Sequence, residues 1–261
     1  MNNVNKTLYI PLYGKAYVSR KGIILSDKKA EKIWAAEGVE LKGKSASKWL
    51  AYYMGMRSKV FDDWLTEKIQ TTEEAVIIHI GCGMDSRVLR VGTKGHQWYD
   101  VDFPEVIKER GHYYQETEEY HMLEADIRGE KWLNNISHNK YSVVVMEGVS
   151  MYLKLDELKT VLRNISSHFQ QMDLLMDCYT IFAAKASKHK NPINDVGVTE
   201  VYGLDDPKVL EDGVGVKYIQ EHDMIPAGLI DELDGAEKLI FKKLYGGNIS
   251  KKMYRLYEYR K

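Results

Sequence analysis

Acidic residues stand at the ends of three predicted strands in the middle of the chain. Asp102 closes the first, Asp126 closes the second, and Glu147 and Gly148 end the third. If these segments are parallel strands, their carboxyl ends meet at one sheet edge and bring the carboxylates together. Each acid alone could be a solvated loop residue. As a set they predict a nucleoside site, with Asp102 on the ribose, Asp126 at the adenine amino group, and Ile127 stacked on the ring.

A glycine turn precedes these acids. Gly81 and Gly83 directly follow the apolar segment 75–80, and such a turn lets the backbone approach a ligand closely. The dinucleotide fingerprint G-x-G-x-x-G would require a glycine where this chain has Ser86. Asp85 would repel a pyrophosphate but could face a cationic amino group. Asp85 and Ser86 could equally cap the following helix. The turn thus favours a ligand without a pyrophosphate.

One arginine lies in the middle of an apolar helix face. Ser45 is predicted to cap a helix over 46–70, and Arg57 falls at the centre of its apolar stripe at 100° per residue. The stripe consists of Leu50, Tyr53, Met54, Phe61 and Trp64. A buried guanidinium is costly unless it meets an anion. That anion could belong to a ligand; alternatively, Arg57 could snorkel or pair with Asp62, Asp63 or another acid.

The elements that would hold these residues are helical first and then alternate between strand and helix. Ser26 is predicted to cap a helix that stops at Gly38, within a helical segment of about residues 8–70. The alternation that follows implies a parallel sheet with right-handed crossovers. The predicted strands are 75–80, 96–102, 121–126, 141–148 and 173–180.

The last part of the chain breaks this alternation. Residues 181–235 contain three prolines and weak periodicity, which indicates a substrate lid over the carboxyl edge of the sheet. Residues 236–246 and 251–261 alternate around GGNIS and predict an antiparallel hairpin. The predicted fold is α/β and Rossmann-like, a mostly parallel seven-stranded sheet with a C-terminal antiparallel hairpin, as in class I methyltransferases. The single domain would comprise a helical cap (1–72), a core (73–180), the lid (181–235) and the hairpin (236–261).

The bulk composition argues against several classes of protein. The 261 residues carry a formal net charge of −1, so neither nucleic acid nor an anionic membrane is an expected partner. No apolar run reaches the roughly 18 residues of a membrane span, and the start does not resemble a signal peptide. Cys82 and Cys178 are far apart, and no metal-ligand cluster appears. We therefore expect a cytoplasmic protein without a metal and assign Cys82 no nucleophilic role.

Five segments together resemble the leucine carboxyl methyltransferase family, especially its bacterial branch of polyketide (tetracenomycin-type) O-methyltransferases. The most specific pattern is R-x-x-x-F-D-D followed by G-x-G-x-D-S-R. The segments are PLYGKAYVSRKG (11–22), MRSKVFDDWL (56–65), IGCGMDSRVLR (80–90), YDVDFPEVIKER (99–110) and MEGVSMYL (146–153). They follow the family's order, whereas residues 181–235 do not align, and Cys82 replaces the more usual alanine or glycine.

The resemblance implies S-adenosylmethionine as the cofactor and assigns residues to its parts. Arg57 would pair with the cofactor's carboxylate, with Lys15 close to the same group. Glu147 would lie near the amino group, Gly81 would lie at the methionine moiety, and Arg87 would brace the turn. The predicted cofactor-binding set is Lys15, Arg57, Gly81, Gly83, Asp85, Asp102, Asp126, Ile127, Glu147 and Gly148.

The predicted reaction is in-line displacement of the sulfonium methyl by a carboxylate or hydroxyl oxygen of a small, aromatic or polyketide-like molecule. A carboxylate needs no base, whereas a phenol or alcohol would. Tyr152 and His222 are the predicted catalytic residues, with Asp223 as a further candidate. Three alternatives stay open: an NAD(P)-dependent oxidoreductase, a non-catalytic cofactor-binding protein, and a protein C-terminal carboxyl methyltransferase.

Overall fold

A seven-stranded sheet forms the centre of the protein. The computed structural model describes residues 7–137, 141–187, 200–246 and 248–261. The strands are β1 (Val76–Ile80), β2 (Gln97–Asp102), β3 (Tyr120–Glu124), β4 (Tyr141–Met146), β5 (Gln171–Tyr179), β6 (Lys217–Glu221) and β7 (Tyr254–Arg260). Their order is β3-β2-β1-β4-β5-β7-β6. β1 to β5 pair in parallel, and β7 lies antiparallel between β5 and β6. The predicted sheet is confirmed.

The central strands are buried on both faces. Every residue of β1 is buried, which is why its sequence reads as a continuous apolar run rather than an alternation. Its side chains divide between two cores: Ile77 packs on the face covered by the N-terminal helices, whereas Ile78 packs on the opposite face. His79 is the polar exception on this strand and is hydrogen-bonded to Asp100.

The N-terminal segment is helical, as predicted; its described residues form three helices, and the two predicted N-cap residues are wrong by one or two positions. The helices are α1 (Tyr9–Lys21), α2 (Lys28–Glu37) and α3 (Lys48–Gln70). Asp27 caps α2 by accepting from the Ala30 N–H, so the prediction of Ser26 was wrong. Ser47 caps α3, so the prediction of Ser45 was also wrong. Helix α2 does stop at Gly38, which has a left-handed φ of 60°.

The remaining helices flank the sheet and its carboxyl edge. They are α4 (Arg87–Val91), α5 (Pro104–Arg110), α6 (Leu155–His168), α7 (Ile181–Ala186), α8 (Ala227–Asp231), α9 (Gly235–Tyr245) and α10 (Asn248–Met253). None of the helices in the described ranges is long and apolar enough to cross a membrane. Part of the predicted lid, residues 188–199, lies outside the described residues.

The C-terminal hairpin was assigned to the wrong residues. Segment 236–246 was predicted as a strand but belongs to helix α9. Glu237, Phe241 and Tyr245 recur every four residues, and this helical spacing lets Glu237 bond Lys21 while Phe241 packs on Tyr52. The strand that pairs with β7 in place of segment 236–246 is β6, from within the predicted lid. β6 is an edge strand with no fully buried residue, so its sequence KYIQE lacks the apolar pattern of a core strand.

Candidate active site

A cavity of about 820 Å³ lies at the carboxyl ends of the parallel strands, beneath the cap helices α1 and α3. Eleven of the twelve predicted site residues line it, and only His222 does not. Lining residues are contributed by the turn after β1 and by the segments after β2, β3 and β4, which is the edge that the sequence predicted. The eleven are Lys15, Arg57, Gly81, Gly83, Asp85, Asp102, Asp126, Ile127, Glu147, Gly148 and Tyr152.

The turn after β1 requires its two glycines. Gly81 and Gly83 have φ values of 67° and 51°, in the left-handed region that favours glycine. A Cβ on Gly81 would lie 2.2 Å from Cγ2 of Val149, so a side chain at this position would clash. The Gly81 N–H donates to the Val101 carbonyl at 2.8 Å, and the Gly83 N–H donates to Oδ2 of Asp102 at 2.8 Å. The turn is thereby fixed to β2 and orients its terminal acid.

The two acids of β2 have different environments. Asp102 accepts from the backbone N–H groups of Gly83 and Phe103, each at 2.8 Å, and lines the cavity. Burial raises the pKa of Asp102 above its usual range despite these bonds. Each oxygen still has a lone pair for a ligand hydroxyl. Asp100 is fully buried away from the cavity and accepts from Arg110 and Tyr120.

Arg57 meets two acids, and part of its guanidinium remains available to a ligand. Its Nε donates to Oε1 of Glu147 at 3.0 Å, and its Nη1 donates to Oδ2 of Asp177 at 2.8 Å. Nη2 donates to no other group in the described parts of the chain. Arg57 is only 4% exposed and lines the cavity. The pairing with another acid is therefore present, and it is compatible with binding of an anionic ligand group by the remaining N–H groups.

Glu147 is held as a carboxylate by two arginines. Burial alone would raise its pKa, but attraction to Arg57 and Arg87 outweighs burial and lowers the pKa of Glu147 to about 2. Arg87 also donates from Nε to Asp62 at 2.8 Å and lies 3.0 Å from His79 through Nη1. Arg87 is fully buried and does not line the cavity. Nη2 of Arg87 also lies 3.4 Å from Oδ2 of Asp85 in the turn, which agrees with the prediction that Arg87 braces the turn.

A second ionic cluster joins the cap to the turn. Asp85 pairs with Lys15 at 3.1 Å and with Arg90 at 2.8 Å, and burial of all three side chains keeps water away. Burial would raise the pKa of Asp85, but the surrounding cations lower it well below its usual value. Arg90 also pairs with Asp27, the cap of α2, at 2.6 Å. Asp85 thus lies among cations of the protein itself, and its predicted role toward a ligand amino group has no support in this geometry.

The residues after β3 form an open side of the cavity. The Asp126 side chain is 44% exposed and accepts from Nε of Arg128 at 2.9 Å. That bond lowers the pKa of Asp126. Ile127 is buried beside it and presents an apolar surface. We name the lining formed by Lys15, Arg57, Asp102, Asp126 and Glu147 the charged half of the cavity.

The other side of the cavity is lined by neutral side chains. Five tyrosines contribute, together with Ile10, Leu12, Met54 and Met151, and we name this lining the tyrosine half; the tyrosines are Tyr53, Tyr152, Tyr179, Tyr245 and Tyr254. The Tyr254 hydroxyl donates to the Tyr179 hydroxyl at 2.9 Å. Burial raises the pKa values of Tyr152 and Tyr254, so both stay protonated at neutral pH. They are hydrogen-bond donors rather than bases.

His222 and Asp223 lie outside the cavity. Nε2 of His222 is 2.7 Å from Oε2 of Glu258, and the His222 N–H donates to the Leu256 carbonyl. Asp223 accepts from the N–H of Ile225. Both follow β6 at the far edge of the sheet. His222 is not at the site, because residues 217–221 of the predicted lid form the edge strand β6 instead of covering the cavity.

Sequence reasoning missed three residues of the ionic clusters: Asp27, Arg90 and Asp177. Asp177 carried the same signal as the acids that were found, because it lies near the end of the predicted strand 173–180. Asp27 and Arg90 come from separate elements and had no such signal. The described residues contain no group of three metal-binding side chains.

The fold is shared with methyltransferases of low sequence identity. The magnesium protoporphyrin IX methyltransferase ChlM from Synechocystis PCC 6803, with bound SAH, gives a TM-score of 0.53 at 10% identity, covering 95% of this chain and 97% of that chain. A putative methyltransferase from Thermobifida fusca YX gives 0.57 at 12% identity, covering 95% and 94%. The fold is therefore that of the class I methyltransferases.

The sequence places the chain within this class. The model of the family described as leucine carboxyl methyltransferase matches residues 8–166. The tetracenomycin polyketide synthesis O-methyltransferase TcmP of Streptomyces glaucescens is 26% identical over 244 residues, covering 92% of this chain and 90% of that protein. The S-adenosyl-L-methionine-dependent methyltransferase dpfgK of Gibberella zeae is 31% identical over 193 residues, covering 67% and 64%.

This chain belongs to the leucine carboxyl methyltransferase family and is an S-adenosylmethionine-dependent methyltransferase. The charged half fits such a cofactor. Arg57 and Lys15 can meet the carboxylate of the methionine part, and Asp102 can accept from the ribose hydroxyls. The oxidoreductase alternative is thereby set aside.

Proposed function

We propose that this enzyme methylates an oxygen of a small aromatic molecule, and that the oxygen belongs to a carboxylate. S-adenosylmethionine supplies an electrophilic methyl group on its sulfonium, so the acceptor needs an oxygen lone pair aligned with that methyl. The family's description and the O-methyltransferase TcmP support an oxygen acceptor. The observation that carries the choice of carboxylate is the absence of an available base among the described residues that line the cavity.

Most ionisable groups among the described lining residues are bonded within the protein or have lowered pKa values. Asp102 has a pKa that burial raises, but it accepts from the N–H groups of Gly83 and Phe103, and its proposed partner is the ribose. The His79 ring lies between Asp100 and Arg87. Asp85 and Glu147 have lowered pKa values because they face cations, although burial opposes this, and they are poor proton acceptors. A carboxylic acid is already ionised near neutral pH and requires no proton removal, whereas a phenol does. The site therefore suits a carboxylate better than a hydroxyl.

The tyrosine half supports an aromatic acceptor. Planar rings pack edge-to-face or offset against a planar ligand, and the Tyr179 and Tyr254 rings already pack edge-to-face at 4.5 Å between centroids. A protonated tyrosine can also donate to an anionic acceptor, and raised pKa values keep Tyr152 and Tyr254 protonated. Tyr152 thus has a proposed role in orienting the acceptor rather than in accepting its proton.

A methyl-transfer assay with matched acceptors tests this proposal. The enzyme is incubated with methyl-labelled S-adenosylmethionine and with benzoate-type acids, the corresponding phenols, or a peptide that ends in a leucine carboxylate. Methyl esters release the label in mild alkali, whereas methyl ethers do not. Alkali-labile product on small acids is the expected result. Product only on phenols would refute the carboxylate, and product only on the peptide would favour a protein substrate.

The other partner predictions do not bear on this choice. A small-molecule substrate is part of the proposal above. The expected absence of nucleic-acid and membrane partners stays a prediction, as does the cytoplasmic location. A non-catalytic cofactor-binding protein, another of the alternatives from the sequence, would give cofactor binding without any labelled product in the same assay.

A further inference from the structure

Asp177 lies at the carboxyl end of β5 and is fully buried. Both carboxylate oxygens are engaged: Oδ2 accepts from Nη1 of Arg57 at 2.8 Å, and Oδ1 accepts from the Gly148 N–H at 2.6 Å. Asp177 itself is not part of the cavity lining, whereas Arg57 and Gly148 are. Any effect of Asp177 on a ligand must therefore act through these two groups.

The guanidinium of Arg57 is held on two of its corners. Glu147, just after β4, takes Nε at 3.0 Å, and Asp177 takes Nη1 at 2.8 Å. Two bonds to a planar group fix the direction of its third corner, Nη2. The backbone of Gly148 lies close to that corner, since a Cβ at this position would be 3.5 Å from Nη2. The free corner is thus oriented before any ligand binds.

We propose that Asp177 is a positioning residue: by fixing Arg57 and the Gly148 turn together, it makes Arg57 ready to bind the carboxylate of the cofactor. This inference rests on the assignment of the charged half to S-adenosylmethionine. The sign of the effect separates it from simple electrostatics. Asp177 is an anion near an anionic ligand group, so its charge alone would weaken binding of that group. Orientation of Arg57 predicts the opposite, namely that loss of Asp177 weakens binding.

The test compares two probes on the Asp177→Asn variant. S-adenosylhomocysteine carries the amino-acid carboxylate, whereas 5′-methylthioadenosine keeps the nucleoside and the thioether and lacks the amino-acid end. Calorimetry gives both dissociation constants. The variant should bind S-adenosylhomocysteine roughly tenfold or more weakly, as for one lost charged hydrogen bond, and 5′-methylthioadenosine within about twofold of wild type. The preference for S-adenosylhomocysteine should fall accordingly.

Two further variants control the experiment. Asp173 is on the same face of β5 four residues earlier, is buried, and accepts from Tyr141 and Arg260 outside the cavity. Asp173→Asn removes a comparable buried carboxylate and should leave the preference between the probes unchanged. Asp177→Glu keeps the charge but lengthens the side chain by one methylene. It should also lower the preference, and it serves as the test if the asparagine variant does not fold.

The outcomes separate this inference from the proposed function. If the wild-type protein does not prefer S-adenosylhomocysteine over 5′-methylthioadenosine, the assignment of the charged half fails. If it does, and a folded Asp177 variant keeps that preference, the inference about Asp177 fails alone. Tighter binding of S-adenosylhomocysteine, or an equal loss for both probes, would also overturn it, because these results indicate a purely electrostatic or a general structural role.

Discussion

In the charged half of the cavity, buried side chains are fixed by one another, whereas the tyrosine half is formed by neutral rings with few strong partners. Arg57 and Glu147 are each bonded to at least two other residues. In the tyrosine half the hydrogen bonds join neutral groups, such as that from the Tyr254 hydroxyl to the Tyr179 hydroxyl and that from Ser250 to the Tyr53 hydroxyl. Charged side chains bind one part of a ligand in one geometry, whereas a neutral aromatic surface can accommodate ligands of different shapes. The charged half therefore has a lining that fits one particular cofactor, whereas the tyrosine half does not select a single acceptor.

Arg57→Ala should cause the largest change, because it removes the cation at the centre of the charged half. We expect binding of S-adenosylhomocysteine to weaken by about 2 kcal/mol or more, roughly 30-fold. Unfolding free energy should fall by roughly 3–5 kcal/mol, since Glu147 and Asp177 lose a buried partner. Calorimetry and denaturant titration measure both. Lys59→Ala on the same helix is the control, because its pair with Asp63 is exposed. Unchanged affinity in a folded variant would contradict the role of Arg57.

Glu147→Gln should change the response of stability to acid. The pKa of Glu147 is lowered to about 2 from 4.5 by Arg57 and Arg87, against the effect of burial. The folded state therefore binds this proton less readily than the unfolded state. Its contribution is present above about pH 4.5 and is lost as pH falls toward 2, on the order of 3 kcal/mol in all. Denaturant titrations between pH 5 and pH 2.5 should give a flatter profile for the variant.

A surface carboxylate provides the contrast for this acid titration. Glu237 also has a pKa lowered to about 2, mainly by hydrogen bonds from Lys21, Lys48 and Tyr52, but its side chain is 19% exposed, against 4% for Glu147. Salt screens such a group more than a buried one. Added salt should therefore reduce the contribution of Glu237 and leave that of Glu147 largely intact. Equal salt sensitivity would contradict the buried position of Glu147.

Tyr254→Phe should affect the tyrosine half alone and by a smaller amount. It removes the hydroxyl that donates to Tyr179, so kcat/KM for the acceptor should fall by about 3–10-fold, as for one neutral hydrogen bond. The dissociation constant of S-adenosylhomocysteine should not change. Tyr259→Phe is a matched control on the same strand, because its hydroxyl donates to the Pro207 carbonyl outside the cavity. A loss of cofactor affinity in Tyr254→Phe would show that the two halves are not separate.

Asp126→Asn should have the smallest effect on cofactor affinity. Asp126 is 44% exposed and bonded to Arg128, so solvent weakens its interaction with a bound adenine. We expect a change within about threefold in the affinity for S-adenosylhomocysteine. Asp102→Asn is the comparison, with a loss of about tenfold, because Asp102 is held by two backbone N–H groups at the cavity wall. A larger loss of affinity for Asp126→Asn than for Asp102→Asn would indicate that the main nucleoside contact is in the segment after β3 and not at the end of β2.

Local sequence patterns were sufficient to predict the parallel core, the glycine turn and the acids at the strand ends. These features depend on local patterns: continuous apolar runs for buried strands, left-handed φ at Gly81 and Gly83, and the chain direction that brings Asp102 and Glu147 to one edge. Asp177 has the same local pattern, an acid near the end of a predicted strand, although it was not among the predicted site residues.

The partner of each charged side chain and the positions of the C-terminal segments depend on how distant elements pack together. Arg57 could pair with any nearby acid until folding placed Glu147 and Asp177 beside it. Segment 236–246 alternates weakly, and contacts of Glu237 and Phe241 with the cap favour a helix there. His222 lies at the edge of the sheet because it directly follows β6. Contacts between elements that are distant in sequence depend on how the whole chain packs. The residues next to each position therefore do not predict them.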